Sequence, residues 1–348
     1  MNWVLILMLT AIATPQFPVE RANRLNTQGA LAAGRGEYGE ARRLYEESIA
    51  FWRFQGPGYD AHRAGTLLNL AITMSDSGQG AAAVPIASEA LALHRRTLGS
   101  THLRTLTNIN VLANTLLTLG EADRAEALFR EALPVVRERY PRDPALATTL
   151  EGIAYFAIRR KQPAEALPLA EEALAIVTPA TGENSMDAAL AYSVVAEAHR
   201  AMGAGARALP LYRRARFLYE KQFGPEHPRV VSILSQEGLI LMEDGKLSLA
   251  EKAMARAATA LEQSCRECLV ELAIAETNLG VLRMKQGRFR DADAALTRAV
   301  ELREKTAAKP GTELADVLQL LAGARQKERL FEDAARLNSR AALIRAYR

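Results

Sequence analysis

Leu112 to Ala132 reads LANTLLTLGEADRAEALFREA, and its small residues stand at fixed distances. Ala113 comes first, Gly120 stands seven residues on, and Ala125, Phe129 and Ala132 follow at steps of five, four and three. The glycine-to-alanine step recurs at Gly36/Ala41, Gly78/Ala83, Gly203/Ala208, Gly245/Ala250 and Gly287/Ala292, and its spacing is kept by Lys161/Ala166 and Arg329/Ala334. The successive intervals are 42, 42, 41, 42, 42, 42 and 42 residues. Eight copies in one phase define a repeat array, which fixes the architecture before any single segment is read.

The flanking positions keep the same phase. Seven residues before the turn residue stands Gly29, Ala71, Ala113, Ala154, Ala196, Gly238, Gly280 or Ala322. Four after the alanine stands Tyr45, Ala87, Phe129, Ala170, Tyr212, Met254 or Leu296, and three further on Ser48, Ala90, Ala132, Ala173, Ala215, Ala257, Ala299 or Ala341. Apolar or small residues at i, i+4 and i+7 line one face of a helix. Each repeat is therefore two helices joined by a tight turn at the glycine, with small residues letting the helices approach. The last copy departs: Arg329 replaces the turn glycine and Asn338 the large apolar residue, as suits a terminal repeat facing water.

The pattern resembles the tetratricopeptide repeat, and the 42-residue period resembles the subtype of kinesin light chains. Two further features carry the likeness. The connectors LGSTH (Leu98–His102) and FGPEHP (Phe223–Pro228) look like that subtype's loop, and Pro85, Pro168 and Pro210 stand near the start of the second helix. Proline is tolerated in a first turn, whose N–H groups have no helical partner. The resemblance implies an all-α fold, a right-handed superhelical solenoid of eight helix pairs over residues 22–348. The repeats are read at 22–63, 64–105, 106–146, 147–188, 189–230, 231–272, 273–314 and 315–348.

Composition agrees and narrows the function. The chain has 348 residues, 49% hydrophobic and 24% charged, too apolar for a disordered protein. Net charge is +4 without a dense basic run, so no nucleic-acid partner is indicated. Trp3 to Ala13 (WVLILMLTAIA) is an apolar stretch too short to span a bilayer, and Ala11-Ile12-Ala13 has the small-x-small form of a cleavage site. We read 1–13 as a signal peptide and 14–21 as a short linker, with no membrane span after cleavage. The mature protein is then periplasmic or secreted; an uncleaved anchor is the other reading. Seven intervals plus a 34-residue final unit fill 22–348, so any catalytic site would lie among the repeats.

Few residues suggest chemistry. Cys265 and Cys268, in the motif Cys265-Arg266-Glu267-Cys268, fall where other repeats have a connector. A local disulfide suits an exported chain; a redox-active or regulatory thiol pair and a zinc ligand pair are the other readings. The five histidines show no metal-ligand spacing, and His102 and His227 share one connector phase, which reads as loop or capping. No nucleophile elbow, phosphate loop or dinucleotide fingerprint occurs. No cofactor, metal site or enzymatic activity is expected. Helical carboxylates read mostly as solvated faces.

In the resembled family the first helix of each pair lines the inner groove. The positions not used for packing there are Asn69, Asn110, Asn114, Glu151, Tyr155, Arg159, Glu197, Arg200 and Asn278. Asparagine can hold a peptide backbone by paired bonds, and arginine can take a carboxylate in forked geometry. The lysines of the carboxylate clamp in chaperone-binding repeat domains have no counterpart beside Asn110 and Asn114, so an acidic C-terminal tail is not implied as ligand. The expected function is an exported scaffold binding a peptide or protein segment in the groove. The alternatives are a thiol-dependent protein using Cys265 and Cys268, or a homo-oligomer formed through the last repeat.

Overall fold

The computed structural model describes residues 16–264, 268–306 and 311–346. Among them are sixteen α-helices and no strand. They form eight consecutive pairs: α1 (Gln16–Gly34) with α2 (Tyr38–Gln55), α3 (Asp60–Asp76) with α4 (Gly80–Leu98), α5 (Leu103–Thr118) with α6 (Ala122–Arg139), and α7 (Pro144–Arg159) with α8 (Pro163–Thr181). The remaining pairs are α9 (Met186–Ala201) and α10 (Gly205–Phe223), α11 (Pro228–Glu243) and α12 (Leu247–Ser264), α13 (Leu269–Lys285) and α14 (Phe289–Thr306), and α15 (Thr312–Lys327) and α16 (Phe331–Ala346). Helix α1 begins at Gln16, within residues 14–21, and the later first helices begin a few residues ahead of the repeat bounds taken from the sequence phase, α3 at Asp60 for example. The reason is that the small residue, which sets the sequence phase, sits deep in the first helix and not near its start. The signal-peptide reading of 1–13 lies outside the described residues.

The chain divides into two compact units, one ending at Ala180 and one beginning at Thr181. In the first unit the first helices touch one another as well as their partners, α1 with α3, α3 with α5 and α5 with α7. In the second, α11 touches α13 and α13 touches α15.

All eight turns are built alike. Gly36, Gly78, Gly120, Gly203, Gly245 and Gly287 lie at φ between 74° and 80°, and Lys161 and Arg329 hold the same left-handed conformation at 61° and 66°. In the third pair, Glu121 N–H donates to the Leu116 carbonyl at 3.0 Å and Gly120 N–H to the Leu117 carbonyl at 3.0 Å. This 6→1 and 5→2 pairing is the Schellman closure, which satisfies carbonyls the helix end leaves open. Every other turn repeats it, down to Leu330 N–H on the Arg325 carbonyl at 2.9 Å.

Packing explains the small residues. The alanines five after each turn residue are buried, from Ala41 to Ala334, as are Ser48 and the alanines in its phase. A Cβ added at Gly29 would stand 2.8 Å from Tyr45, at Gly238 2.6 Å from Met254, and at Gly280 2.5 Å from Leu296. At these three the residue sixteen positions on is large, whereas Ala196 keeps its methyl opposite Tyr212. Ala71 and Ala154 stand in phase with Ala87 and Ala170, where no such room is needed. Phe129 instead uses the next pair, since a Cβ on Gly152 of α7 would meet its ring at 2.5 Å.

The first helices α5, α7, α9 and α11 start from side-chain caps. His102 Nδ1 accepts from Arg104 N–H at 3.1 Å and His227 Nδ1 from Arg229 N–H at 3.3 Å. Asp143 caps Ala145 at 2.8 Å and Ser185 caps Ala188 at 3.0 Å. Each cap satisfies one N–H of an otherwise open first turn. The two histidines are thus capping residues.

Second helices are tied by ion pairs that step from repeat to repeat. In the first unit an arginine reaches a glutamate of the following pair: Arg53 to Glu89 at 3.6 Å, Arg95 to Glu131 at 2.5 Å, Arg137 to Glu172 at 2.7 Å. In the second unit the signs are exchanged. Glu220 meets Arg256 at 2.8 Å, Glu262 meets Arg298, and Glu304 meets Arg340 at 2.5 Å.

Candidate functional site

The face formed by the first helices of the first unit holds the groove positions read from the sequence, and their surroundings separate them. Asn114, Tyr155 and Arg159 are exposed, and Asn114 makes no hydrogen bond among the described residues. Arg159 Nη1 donates to the Tyr155 hydroxyl at 3.1 Å, and its guanidinium lies 5.7 Å from the centre of that ring. Helical i, i+4 spacing sets this pair side by side, an aromatic plate with a cation above it. Asn69 is half-buried and donates to Asn26 Oδ1 of the preceding first helix at 3.1 Å.

Two residues expected in the groove are inside the fold. Asn110 is buried; its Nδ2 donates to the Ala145 carbonyl at 2.8 Å and its Oδ1 accepts from Thr149 Oγ1 at 2.9 Å. It ties α5 to the first turn of α7 and is structural. Glu151 is likewise buried. The cause is geometric: a first helix packs against its partner and against both neighbouring first helices. Only a narrow strip stays open, and the sequence phase alone does not locate it.

In the second unit Glu197 and Arg200 satisfy each other. Arg200 Nε donates to Glu197 Oε2 at 3.1 Å, its Nη2 to Oε1, and the buried Tyr212 hydroxyl also donates to that carboxylate. Burial pushes the Tyr212 hydroxyl far above the ordinary phenol value, and the adjoining Glu197 charge adds to it. Arg200 is thus a closed fork, not an open carboxylate receptor. Asn278 is half-buried on α13. Three carboxylates that no sequence pattern separates from solvated ones are buried and paired. Asp60 meets Arg96 at 2.5 Å and Arg63 at 3.2 Å, Glu237 meets Arg216 at 2.7 Å, and Glu276 meets Arg298 at 3.0 Å.

A cleft of about 350 Å³ opens in the first three repeats, which the sequence pattern did not single out. Asn23 and Asn26 of α1, Asn69 of α3, and Arg104 and Thr107 of α5 line it, with Trp52 of α2 and His94 of α4 at its back. Trp52 Nε1 donates to Thr66 Oγ1 at 3.1 Å, and its ring lies 5.1 Å from that of His62 and 5.8 Å from that of Tyr59. His94 is buried, with the Asn108 side chain and the Ala61 backbone as its hydrogen-bonding neighbours. Burial holds its imidazole below the ordinary value, so the ring is neutral at pH 7. Sixteen residues before the turn residue, His62 and Arg104 stand where later repeats carry Ala145, Asp187, Arg229, Glu271 and Glu313, so the repeat phase alone does not mark the cleft.

Cys265 lies outside the described residues, and the pairing proposed for Cys265 and Cys268 with it. No cluster of histidine, cysteine and carboxylate side chains suited to a metal occurs among the described residues. None of their helices is long and apolar enough to cross a membrane. On α16, Asn338 and Ala342 are exposed where Leu296 and Val300, at the same positions of α14, are buried.

The tetratricopeptide repeat family matches residues 62–138 and 145–221. No curated protein sequence matches the chain. Among solved structures, BtubC (BKLC) from P. vanneervenii is 24% identical, with a TM-score of 0.53 over 65% of this chain and 92% of that one. A putative kinesin light chain from Podosopora anserina with nearly identical TPR-like repeats is 18% identical, with a TM-score of 0.52 over 59% of this chain and 97% of that one. A Rap protein complexed with competence and sporulation factor is 12% identical, with a TM-score of 0.59 over 94% of this chain and 98% of that one. At these identities the likeness is one of fold.

Proposed function

We propose that this chain, which matches the tetratricopeptide repeat family over residues 62–138 and 145–221, is an interaction scaffold that holds a peptide or protein segment on its first-helix face. The observation that carries the reading is the exposed set Asn114, Tyr155 and Arg159, polar and aromatic groups fixed on helices whose neighbours are buried. Groups held on packed helices lose little freedom on binding, so a bound segment bears most of the ordering cost. A Rap protein of similar fold is known in complex with competence and sporulation factor, which supports a ligand-holding role for such an array. No catalytic role is part of this reading.

Export belongs to the same proposal and rests on the apolar Trp3–Ala13 stretch and Ala11-Ile12-Ala13. In that reading the mature chain begins at Thr14 and works in the periplasm or outside the cell. N-terminal sequencing of the protein recovered from cell fractions tests it; an intact Met1 end in the cytoplasmic fraction defeats it.

Affinity capture tests the scaffold reading. The chain from Thr14 is compared with the triple variant Asn114→Ala, Tyr155→Ala, Arg159→Ala on the same envelope extract. We expect a partner held by the parent and lost, by tenfold or more, from a variant with an unchanged melting curve. Equal capture by both proteins moves binding away from the first-helix face.

A further inference from the structure

We propose that the outer face of α16 is a self-association surface, on which a second copy of this chain lays its own α16 in antiparallel register about a two-fold axis. The proposal stands apart from the scaffold reading. Phe331, Ala335, Asn338, Ala342 and Arg345 follow one another at steps of four, three, four and three residues, the spacing of a coiled-coil seam. All five are exposed, Phe331 at 62%. The same positions of α14 are Phe289, Asp293, Leu296, Val300 and Arg303. There α15 covers the seam: Leu296 and Val300 are buried in one cluster with Val317, Leu318 and Leu321, and Asp293 holds Arg325 at 2.7 Å. On α14 this face is where the next pair packs; on α16 no described residue covers it.

Charge, shape and the other end of the array single out a second copy. Glu332 and Asp333 lie in the first turn of α16, Arg340 and Arg345 in its second half. An antiparallel copy sets its basic half against this acidic one, twice over by symmetry, whereas a parallel copy sets like charge on like. Arg345 reaches Asp316 and Gln319 through Nη2 alone, which leaves its other N–H groups for the partner's Glu332. The same overlay puts Ala335 opposite the partner's Ala342, so the helices can approach closely. Asn338 falls at the axis, where each amide donates to the other and accepts from it; a single asparagine in a seam fixes register. Stacking end to end is opposed by α1. Twelve and eight residues before the turn it carries exposed Arg24 and Gln28, where α15 carries buried Val317 and Leu321. A copy seated there would bury an arginine, so the contact closes at two chains. Sixteen helical residues make a seam about 24 Å long, at the small end of stable interfaces. The dimer is therefore reversible, with a Kd of roughly 1–100 µM.

Sedimentation velocity tests the proposal on the chain from Thr14, which keeps all sixteen helices. Concentrations from about 1 to about 200 µM bracket the expected constant. We expect the mass to rise from one chain to two and no further. Ala335→Glu and Ala342→Arg, both at exposed positions, should each raise the Kd by about tenfold or more and leave the melting curve unchanged. Both changes in one chain should bring the Kd back to within about threefold of the parent. Antiparallel pairing sets the new carboxylate of one copy against the new guanidinium of the other. Within one helix the two stand seven residues apart, too far to pair. A parent that stays monomeric throughout, or assemblies larger than two chains, overturns the assignment. So does a dimer that ignores both single changes, or a double variant that does not recover.

Discussion

Lys161 and Arg329 occupy a conformation that costs an L-residue about 1–2 kcal/mol, whereas glycine there gives back about 0.5–1 kcal/mol in chain entropy. The first figure is larger, so Lys161→Gly and Arg329→Gly should each stabilise by about 0.5–1 kcal/mol, and Gly120→Ala should destabilise by a similar amount. Urea midpoints measure all three. A pH effect belongs to this scale too. Burial pushes the His94 and His227 imidazoles below their ordinary value, with the nearby Arg229 adding to the effect at His227. The unfolded chain therefore takes up these protons first. Their stabilisation is fully present above the unfolded value of about 6.5 and is lost as pH falls through 6.5 toward the folded values. His227→Asn keeps a capping side chain and should flatten the loss of melting temperature between pH 7.5 and pH 5; an unchanged slope would exclude His227 as a source. The turn residues were legible because a left-handed position leaves a glycine in the sequence six times out of eight. The state of His94 was not, because nothing local tells a buried imidazole from an exposed one.

Pairs of helices are set by how closely they approach, and that distance is written in residues sixteen apart. Gly280→Ala would put a methyl 2.5 Å from Leu296 Cγ, an overpacked contact. Calorimetry should show a loss of about 1–3 kcal/mol. In the double variant with Leu296→Ala the two losses should fall short of additivity by at least 0.5 kcal/mol, since the second change removes the atom that the first one strikes. Additive losses would mean that the methyl is accommodated elsewhere. The second helices were the better read of the two kinds, because a row of alanines in one phase marks their buried face in every repeat. The first helix α5 touches four others, α3, α4, α6 and α7, and so Asn110 and Asn114, one turn apart on it, have opposite surroundings: one braces α7 and the other meets water.

At the scale of the whole chain, period and turn spacing were enough to predict eight helix pairs, because each pair is held by contacts that recur at fixed separations. The groove was only partly legible. Asn114, Tyr155 and Arg159 were readable as exposed, but the cleft at Arg104 and His94 depends on residues from five helices and on no repeated position. The ion pairs between second helices are the other long-range feature, and they should act as matched signs. Arg95→Glu alone should lower stability by a few tenths of a kcal/mol, as is usual for a half-exposed pair, and Glu131→Arg added to it should restore the loss in low salt but not in high salt. Their reversal of sign between the two units has a consequence for heredity. Repeat arrays lengthen and shorten when neighbouring copies misalign and exchange DNA. A copy inserted among the first four pairs, or among the last four, finds the sign it needs on either side. A copy carried from one set into the other sets arginine toward arginine or glutamate toward glutamate. The fourth pair carries Thr178 where Arg137 and Arg95 stand in the two before it, a neutral residue ahead of the change to Arg214. The gene can therefore add or shed repeats within either half at little electrostatic cost, while the join between the halves works as a punctuation mark that exchange does not readily move.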